Sequence, residues 1–307
     1  MRRKLKRKYI HFYKTNYREL TKKSYFSLLE NLFFKYALSD ENFIKKTYKE
    51  NFGEDLNLDD LQTFNQKMQY QKLHCNQPIH TLCADKLAVR EYIKEKVGEQ
   101  YLIPLVMYTD NPKDIIPENL PDYPIVVKTN HDSGSYCIVK DKLAQDWEEV
   151  QSKMKSSLKN NYYFYWRERQ YKGIKPTIIV EKLLQQKNGN VPYDYKFHCS
   201  RGKVLFIQVV IDRESINKIN LYSPVDWQLL PFRLRHENGP ALEAPKPIKE
   251  MVHIAERLSK DFNFARIDLY VSDDQVFFGE ITFTPGAGFD KFIPESYDLE
   301  VGKQIVL

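Results

Sequence analysis

No apolar run in this chain approaches the roughly 18 residues that cross a bilayer. The N-terminus has a basic start but no apolar stretch after it, because Tyr, Lys and His interrupt it, so a secretory leader is not expected. Cysteine is sparse, with Cys75, Cys83, Cys137 and Cys199 alone among 307 residues. None forms a CxxC pair and no His stands at zinc-ligand spacing, which argues against a disulfide framework or a zinc knuckle. Reduced thiols, mostly buried, in a cytoplasmic protein are the expectation. Only 11 glycines occur, too few for low-complexity disorder. The phosphate loop GxxxxGK[ST] is missing, and so is the DxD that a sugar-nucleotide site calls for.

What remains is a chain that is 42% hydrophobic and rich in Tyr (21) and Phe (18), enough for a sizeable core. Its net charge of +6 is a poor average. Residues 1–24 hold ten Lys or Arg and one Glu, so the remainder is slightly acidic. Over residues 1–50 the pattern is helical, with Leu5, Tyr9, Phe12, Tyr13, Tyr17 and Leu20 on one face. Such an arm packs its stripe on the body or lies on an anionic membrane surface, and nucleic acid is not expected.

Further along, a short helix is expected near Phe64–Leu73, and another over Lys86–Val97, capped by Asp85 and ended by Gly98. YLIPLVMY has a buried-strand pattern. Ile125–Lys128 and Tyr136–Lys140 flank the polar loop TNHDSGS as a hairpin does. Residues 141–170 look helical. Thr177–Val180, Tyr193–Cys199 and Val204–Ile211 read as strands, Asp226–Pro247 as irregular and Lys249–Asp261 as a helix. Phe264–Val271 and Gln275–Ile281 form a last hairpin. Antiparallel strands among helices give an α+β chain of two lobes with a cleft.

The last hairpin, FARIDLYVSDDQVFFGEITFTPGAG, carries the most chemistry. Alternation puts Arg266, Asp268 and Tyr270 on one face, and Val276, Phe278, Glu280 and Thr282 together on the partner strand. Cross-strand pairing then sets Asp268 beside Glu280. Two carboxylates in apolar surroundings repel and lose hydration, which a divalent cation cures. The competing reading is a structural Arg–carboxylate network on a sheet. In VVKTNHDSGSYCIVK, a strand ends at Lys128 and a loop with Gly134 follows, whose N–H groups suit phosphate oxygens. An ordinary turn has the same look. In TIIVEKLL, Glu181 at a strand end is placed for an adenine amino group or for plain solvent. In PYDYKFHC, Asp194, Lys196 and His198 share a face, with His198 at the surface or supporting other residues. The aromatic-rich Tyr162–Tyr171 reads as core, with a platform for sugar faces as the alternative. Arg213 and Lys218 stand on a loop within reach of a terminal phosphate.

Taken in order, DKLAVREY, VVKTNHDSGS, VEKLL, RIDLY and GEITFTPG resemble the ATP-grasp superfamily. More narrowly, the chain resembles the TupA-like (teichuronopeptide biosynthesis) group of bacterial surface-polysaccharide proteins, from about Thr63 to Gly302. The resemblance implies two lobes with antiparallel sheets clamping ATP. It divides the chain into a basic extension (1–50), an N-terminal α/β part (51–122), a small lobe (123–184) and a C-terminal lobe with the metal site (185–307). It implies Lys86 and Lys128 at the phosphates, with His131, Ser133, Gly134 and Ser135 closing over them. Glu181, Lys182 and Leu184 fall at the adenine, with Asp194 and Lys196 near the ribose and phosphates. Asp268 and Glu280 hold Mg2+, and Arg266 stabilises the transferring phosphoryl group. Thr282 falls at the third metal position, where ATP-grasp ligases usually have Asn. The implied chemistry is amide formation between a uronic acid of a surface glycan, or its lipid-linked precursor, and an amino acid or amine, by way of an acyl phosphate. The protein would work in the cytoplasm, at or near the inner membrane face. A glycan kinase on the same fold, a glycosyltransferase and a non-catalytic glycan-binding protein are the rivals.

Overall fold

The computed structural model describes residues 38–211 and 218–307. The basic arm expected over residues 1–24 lies outside them, as does Arg213. Helix α1 (Asp40–Phe52) begins where the Ser39 hydroxyl accepts from the Asn42 amide and ends at Gly53, whose φ of 79° suits a residue without Cβ. Helix α2 (Phe64–His74) opens with a reciprocal capping box between Thr63 and Gln66. A helix not expected from the sequence, α3 (Pro78–Ala84), follows with proline in its first turn. The next expected helix starts three residues late, as α4 (Val89–Lys96). The Asp85 carboxylate accepts from the amides of Leu87 and Ala88, so the cap is real but first closes a turn.

Two antiparallel sheets carry the rest. The smaller has the order β1 (Leu105–Thr109), β4 (Ile178–Lys182), β2 (Ile125–Thr129), β3 (Tyr136–Val139). Ile125, Val127, Ile178 and Val180 point to one side and pack against Val150 and Met154 of α5 (Trp147–Ser157). Val126, Lys128, Tyr136, Ile138 and Glu181 line the cleft on the other. Strand β1 is an edge strand with Tyr108 62% exposed, so the buried strand expected there is corrected. The long helix expected over 141–170 is also corrected: α5 stops at Ser157, and only the short α6 (Tyr163–Trp166) follows. Asn160 and Asn161 at the break favour turns over helix.

The larger sheet runs β7 (Ile219–Tyr222), β6 (Lys203–Val210), β5 (Asp194–Ser200), β8 (Ala265–Ser272), β9 (Gln275–Thr282). Helix α7 (Ile248–Ser259) presents Met251, Ile254, Ala255 and Leu258 at three- and four-residue steps. These meet Phe197, Ile207, Ile267, Leu269 and Phe278 in the largest core. A smaller core, including Phe64, Met68, Phe206 and Phe264, joins α2 to the far end of the sheet. There the last helix, α8 (Ser296–Gly302), closes the fold. A Cβ on Gly302 would lie 2.3 Å from the Gln62 carbonyl oxygen, so α8 touches the backbone that begins α2.

Candidate functional site

The β8–β9 register sets Arg266 opposite Thr282, Ile267 opposite Ile281 and Asp268 opposite Glu280. Then it slips, and Leu269 faces Phe278. Gly279 is therefore a bulge residue, and it reverses the phase of β9. Phe278 goes into the core while Glu280 faces the cleft with Asp268 and Arg266. The expectation that Phe278 shares a side with Glu280 is thus corrected, because simple alternation takes no account of a bulge. Glycine is needed here: a Cβ would lie 2.7 Å from the Tyr270 ring and 3.1 Å from the Asp268 carbonyl oxygen.

Arg266 ties this group together. Its Nε donates to Asp268 Oδ1 at 2.6 Å, and one Nη donates to Asp268 Oδ2 (2.7 Å), Glu280 Oε1 (2.9 Å) and Thr282 Oγ1 (3.1 Å). Lys196, directly opposite Asp268 on β5, reaches Asp268 at 2.5 Å and Asp194 at 2.6 Å. Burial pushes Asp268 up, aided by Asp194 and Glu280 and opposed by Arg266 and Lys196. Burial also acts on Glu280, but Lys86, Arg266 and Lys196 outweigh it and bring that carboxyl down to about 2. Thr282 gives its hydroxyl to Glu280 Oε1 at 3.1 Å, propping the carboxylate, and does not line the cleft itself.

Opposite stands the smaller sheet. Lys128 Nζ lies 2.7 Å from Glu181 Oε2, and Arg90 of α4 reaches Glu181 Oε1 at 3.1 Å. Lys86 donates to the carbonyl of Asp132 in the β2–β3 loop, so the loop is tied to α4's approach. Burial pushes the Lys86 ammonium down, while Glu280 opposes that shift. Ser133 and Gly134 line the cleft, but His131 and Ser135 do not. His131 is buried with its Nε2 3.1 Å from the Asn160 carbonyl, and Ser135 bonds Asp132 within the loop.

Between the sheets lies a cleft of about 370 Å³, bordered by Lys86, Lys128, Glu181, Lys196, Asp268 and Glu280. Lys182, Leu184 and Asp194 also border it. Cations from both lobes and carboxylates from the larger sheet thus meet over one space. His198 stands apart. It is 1% exposed, stacks on Phe206 at 4.1 Å and pairs with Gln208 at 3.0 Å. Burial and Arg266 push it well below its ordinary range, so it is a neutral core residue rather than a surface one. Lys218 does not line the cleft. Of the aromatic segment, Tyr163 is core, whereas Tyr165 and Trp166 are 49% and 36% exposed. Burial, Glu168 and Glu280 push Tyr162 up to about 12. Arg90 escaped the sequence reading, since it does not sit in a strand pattern that aims it at the site.

Among the described residues, no group of three or more His, Cys, Asp or Glu side chains surrounds one point. Magnesium does not require one, because it binds through one or two carboxylates when phosphates and water supply the rest. Asp268 and Glu280 fit that role. They are adjacent across two strands and they border the cleft.

Residues 66–306 match the family model described as TupA-like ATPgrasp. None of the curated proteins matches the sequence. Among solved structures, the chain is similar to the D-alanine–D-alanine ligase of Bacillus anthracis, with 18% identity over 73% of this chain and 67% of that one, at a TM-score of 0.39. It is similar to the L-amino acid ligase of Bacillus licheniformis, with 16% identity over 81% and 56%, at 0.45. For the ATP-grasp ligase PsnB complexed with minimal precursor, identity is 10% over 68% and 55%, at 0.38. The chain spans between 55% and 67% of these proteins' own lengths.

Proposed function

The chain belongs to the TupA-like ATP-grasp family, and from that membership we propose that it is an ATP-dependent carboxylate–amine ligase. ATP-grasp proteins bind ATP and Mg2+. The observation that carries the reading is the pairing of Asp268 with Glu280 across β8 and β9, with Arg266 bonded to both, on one wall of a cleft whose other wall bears Lys128 and Glu181.

In this reading, Lys86 and Lys128 hold the phosphates, with the Ser133–Gly134 turn over them. Glu181, Lys182 and Leu184 border the adenine, and Asp194 and Lys196 the ribose and inner phosphates. Asp268 and Glu280 are the magnesium ligands, and Thr282 orients Glu280. Magnesium held there supplies positive charge against the phosphate oxygens. Arg266 turns from the carboxylates to the γ-phosphoryl group and offsets its charge in the transition state. An acceptor carboxylate oxygen attacks the γ-phosphorus and ADP leaves, giving an acyl phosphate. An amine then attacks the acyl carbon, phosphate leaves, the nitrogen's proton passes to solvent, and an amide remains. The site contributes position and charge.

For the acceptor we take a uronic acid of a surface glycan or its lipid-linked precursor, and for the amine an amino acid or simple amine. Among the described residues no helix is long and apolar enough to cross a membrane. Residues 1–24, with their ten cations, suit an anionic membrane surface where such precursors reside.

Thermal unfolding with Mg·ATP, Mg·GTP and EDTA·ATP tests the site. A ligand that binds only the native state raises the midpoint. Mg·ATP should raise it most, and Glu280→Gln should lose most of that rise. No rise at millimolar Mg·ATP would remove the nucleotide reading. Mass analysis after incubation with uronate-containing glycans, ATP and amines then tests the ligase step, for which the expected product is an amide.

A further inference from the structure

Glu181 is 6% exposed and holds two cations at once, Arg90 on Oε1 at 3.1 Å and Lys128 on Oε2 at 2.7 Å. The two are not equivalent. Lys128 borders the cleft, but Arg90 does not. Arg90 comes from the first turn of α4 and meets Glu181 from outside the ligand space.

A buried carboxylate stripped of its cation is strongly unfavourable. If Lys128 were Glu181's sole partner, drawing that ammonium to a phosphate would leave the carboxylate stranded, and the cost would be subtracted from ligand affinity. With Arg90 in place, one ion pair persists while the other opens. The guanidinium suits this task, since it is always charged and weakly hydrated. We propose that Arg90 is a positioning residue that keeps Glu181 neutralised and thereby releases Lys128 to the phosphates of the bound nucleotide. This rests on the reading of the cleft as a nucleotide site.

The consequence is a dependence of Arg90's effect on Glu181. Calorimetric titration with Mg·ATP reads it directly, using wild type, R90Q, E181Q and R90Q/E181Q. R90Q should raise the Kd about tenfold or more, the scale of one lost charged hydrogen bond. In the E181Q background the same substitution should leave the Kd unchanged, because no carboxylate then competes for Lys128. An Arg90 that only supports the fold would weaken binding equally in both backgrounds. If R90Q does not fold, R90K serves in its place. Its cation lacks the planar fork, so the Kd should rise less than in R90Q, and E181Q should again abolish the rise. Binding by R90Q as tight as wild type, or a loss that persists in the E181Q background, overturns the proposal. Wild-type protein that does not bind Mg·ATP at all would instead remove the nucleotide reading, and this inference with it.

Discussion

Lys72 is fully buried on α2, donating to Gln69 Oε1 at 2.8 Å with its ammonium 4.3 Å from the Phe289 ring. Burial pulls it down to about 7, and Glu168 pulls the other way. Glu168 is itself buried and accepts from the Thr284 hydroxyl. Each charge makes the other tolerable. Lys72→Met should therefore destabilise the protein by about 3 kcal/mol, because it leaves a buried carboxylate uncompensated. Lys72→Met/Glu168→Gln should regain most of that, as measured by urea unfolding. Glu280 makes a second residue-scale prediction. Its folded pKa of about 2 lies below the ordinary 4.5, so its contribution is present above pH 4.5 and lost as pH falls toward 2. The unfolding midpoint of wild type should fall more steeply across that window than that of Glu280→Gln.

At the scale of elements, the last hairpin decides the site. Its two strands were legible because both are runs of apolar and β-branched residues on either side of a polar turn, and the Asp273–Asp274 turn has positive φ at both positions (52° and 65°), as tight hairpins favour. The facing of Asp268 and Glu280 was legible for the same reason. The bulge beside that pair was not, since a glycine among apolar residues has no pattern of its own. Gly279→Ala should crowd the Asp268 carbonyl and the Tyr270 ring. The expected cost is about 1–3 kcal/mol, with weakened Mg·ATP binding, seen in the same thermal-shift assay. The bound nucleotide should shift Gly279→Ala less than wild type even at matched stability. Helix α3 and the edge position of β1 were also illegible: seven residues are too few for a period, and edge status depends on which strand lies beside which. Arg90 was missed because its partner, Glu181, is distant in sequence and meets it only once the smaller sheet has formed.

For the whole molecule, the relevant quantity is the charge gathered over the cleft. Lys86, Lys128, Lys196 and Arg266 stand against Glu181, Asp194, Asp268 and Glu280, and most are already paired. A nucleotide entering without magnesium must take cations from carboxylates that then face its phosphates. Magnesium and ATP should therefore bind with positive coupling. Chelation with EDTA should raise the ATP Kd about tenfold or more, a coupling of about 1.4 kcal/mol. By reciprocity, ATP should tighten magnesium by the same factor, which titration of each ligand at saturation of the other checks. Equal ATP affinity with and without magnesium would show that the carboxylates hold no metal.

The closure of α8 onto the start of α2 sets a clock for the molecule as it is made. Asn65 at the head of α2 donates to the Asp298 carboxylate at 3.0 and 2.9 Å, across 233 positions of chain. At ordinary rates of synthesis α2 waits roughly 10–50 s for that partner. During this interval Phe64 and Met68 lack part of the apolar surface that later covers them. Helix α2 therefore completes its packing only once the last helix has been made.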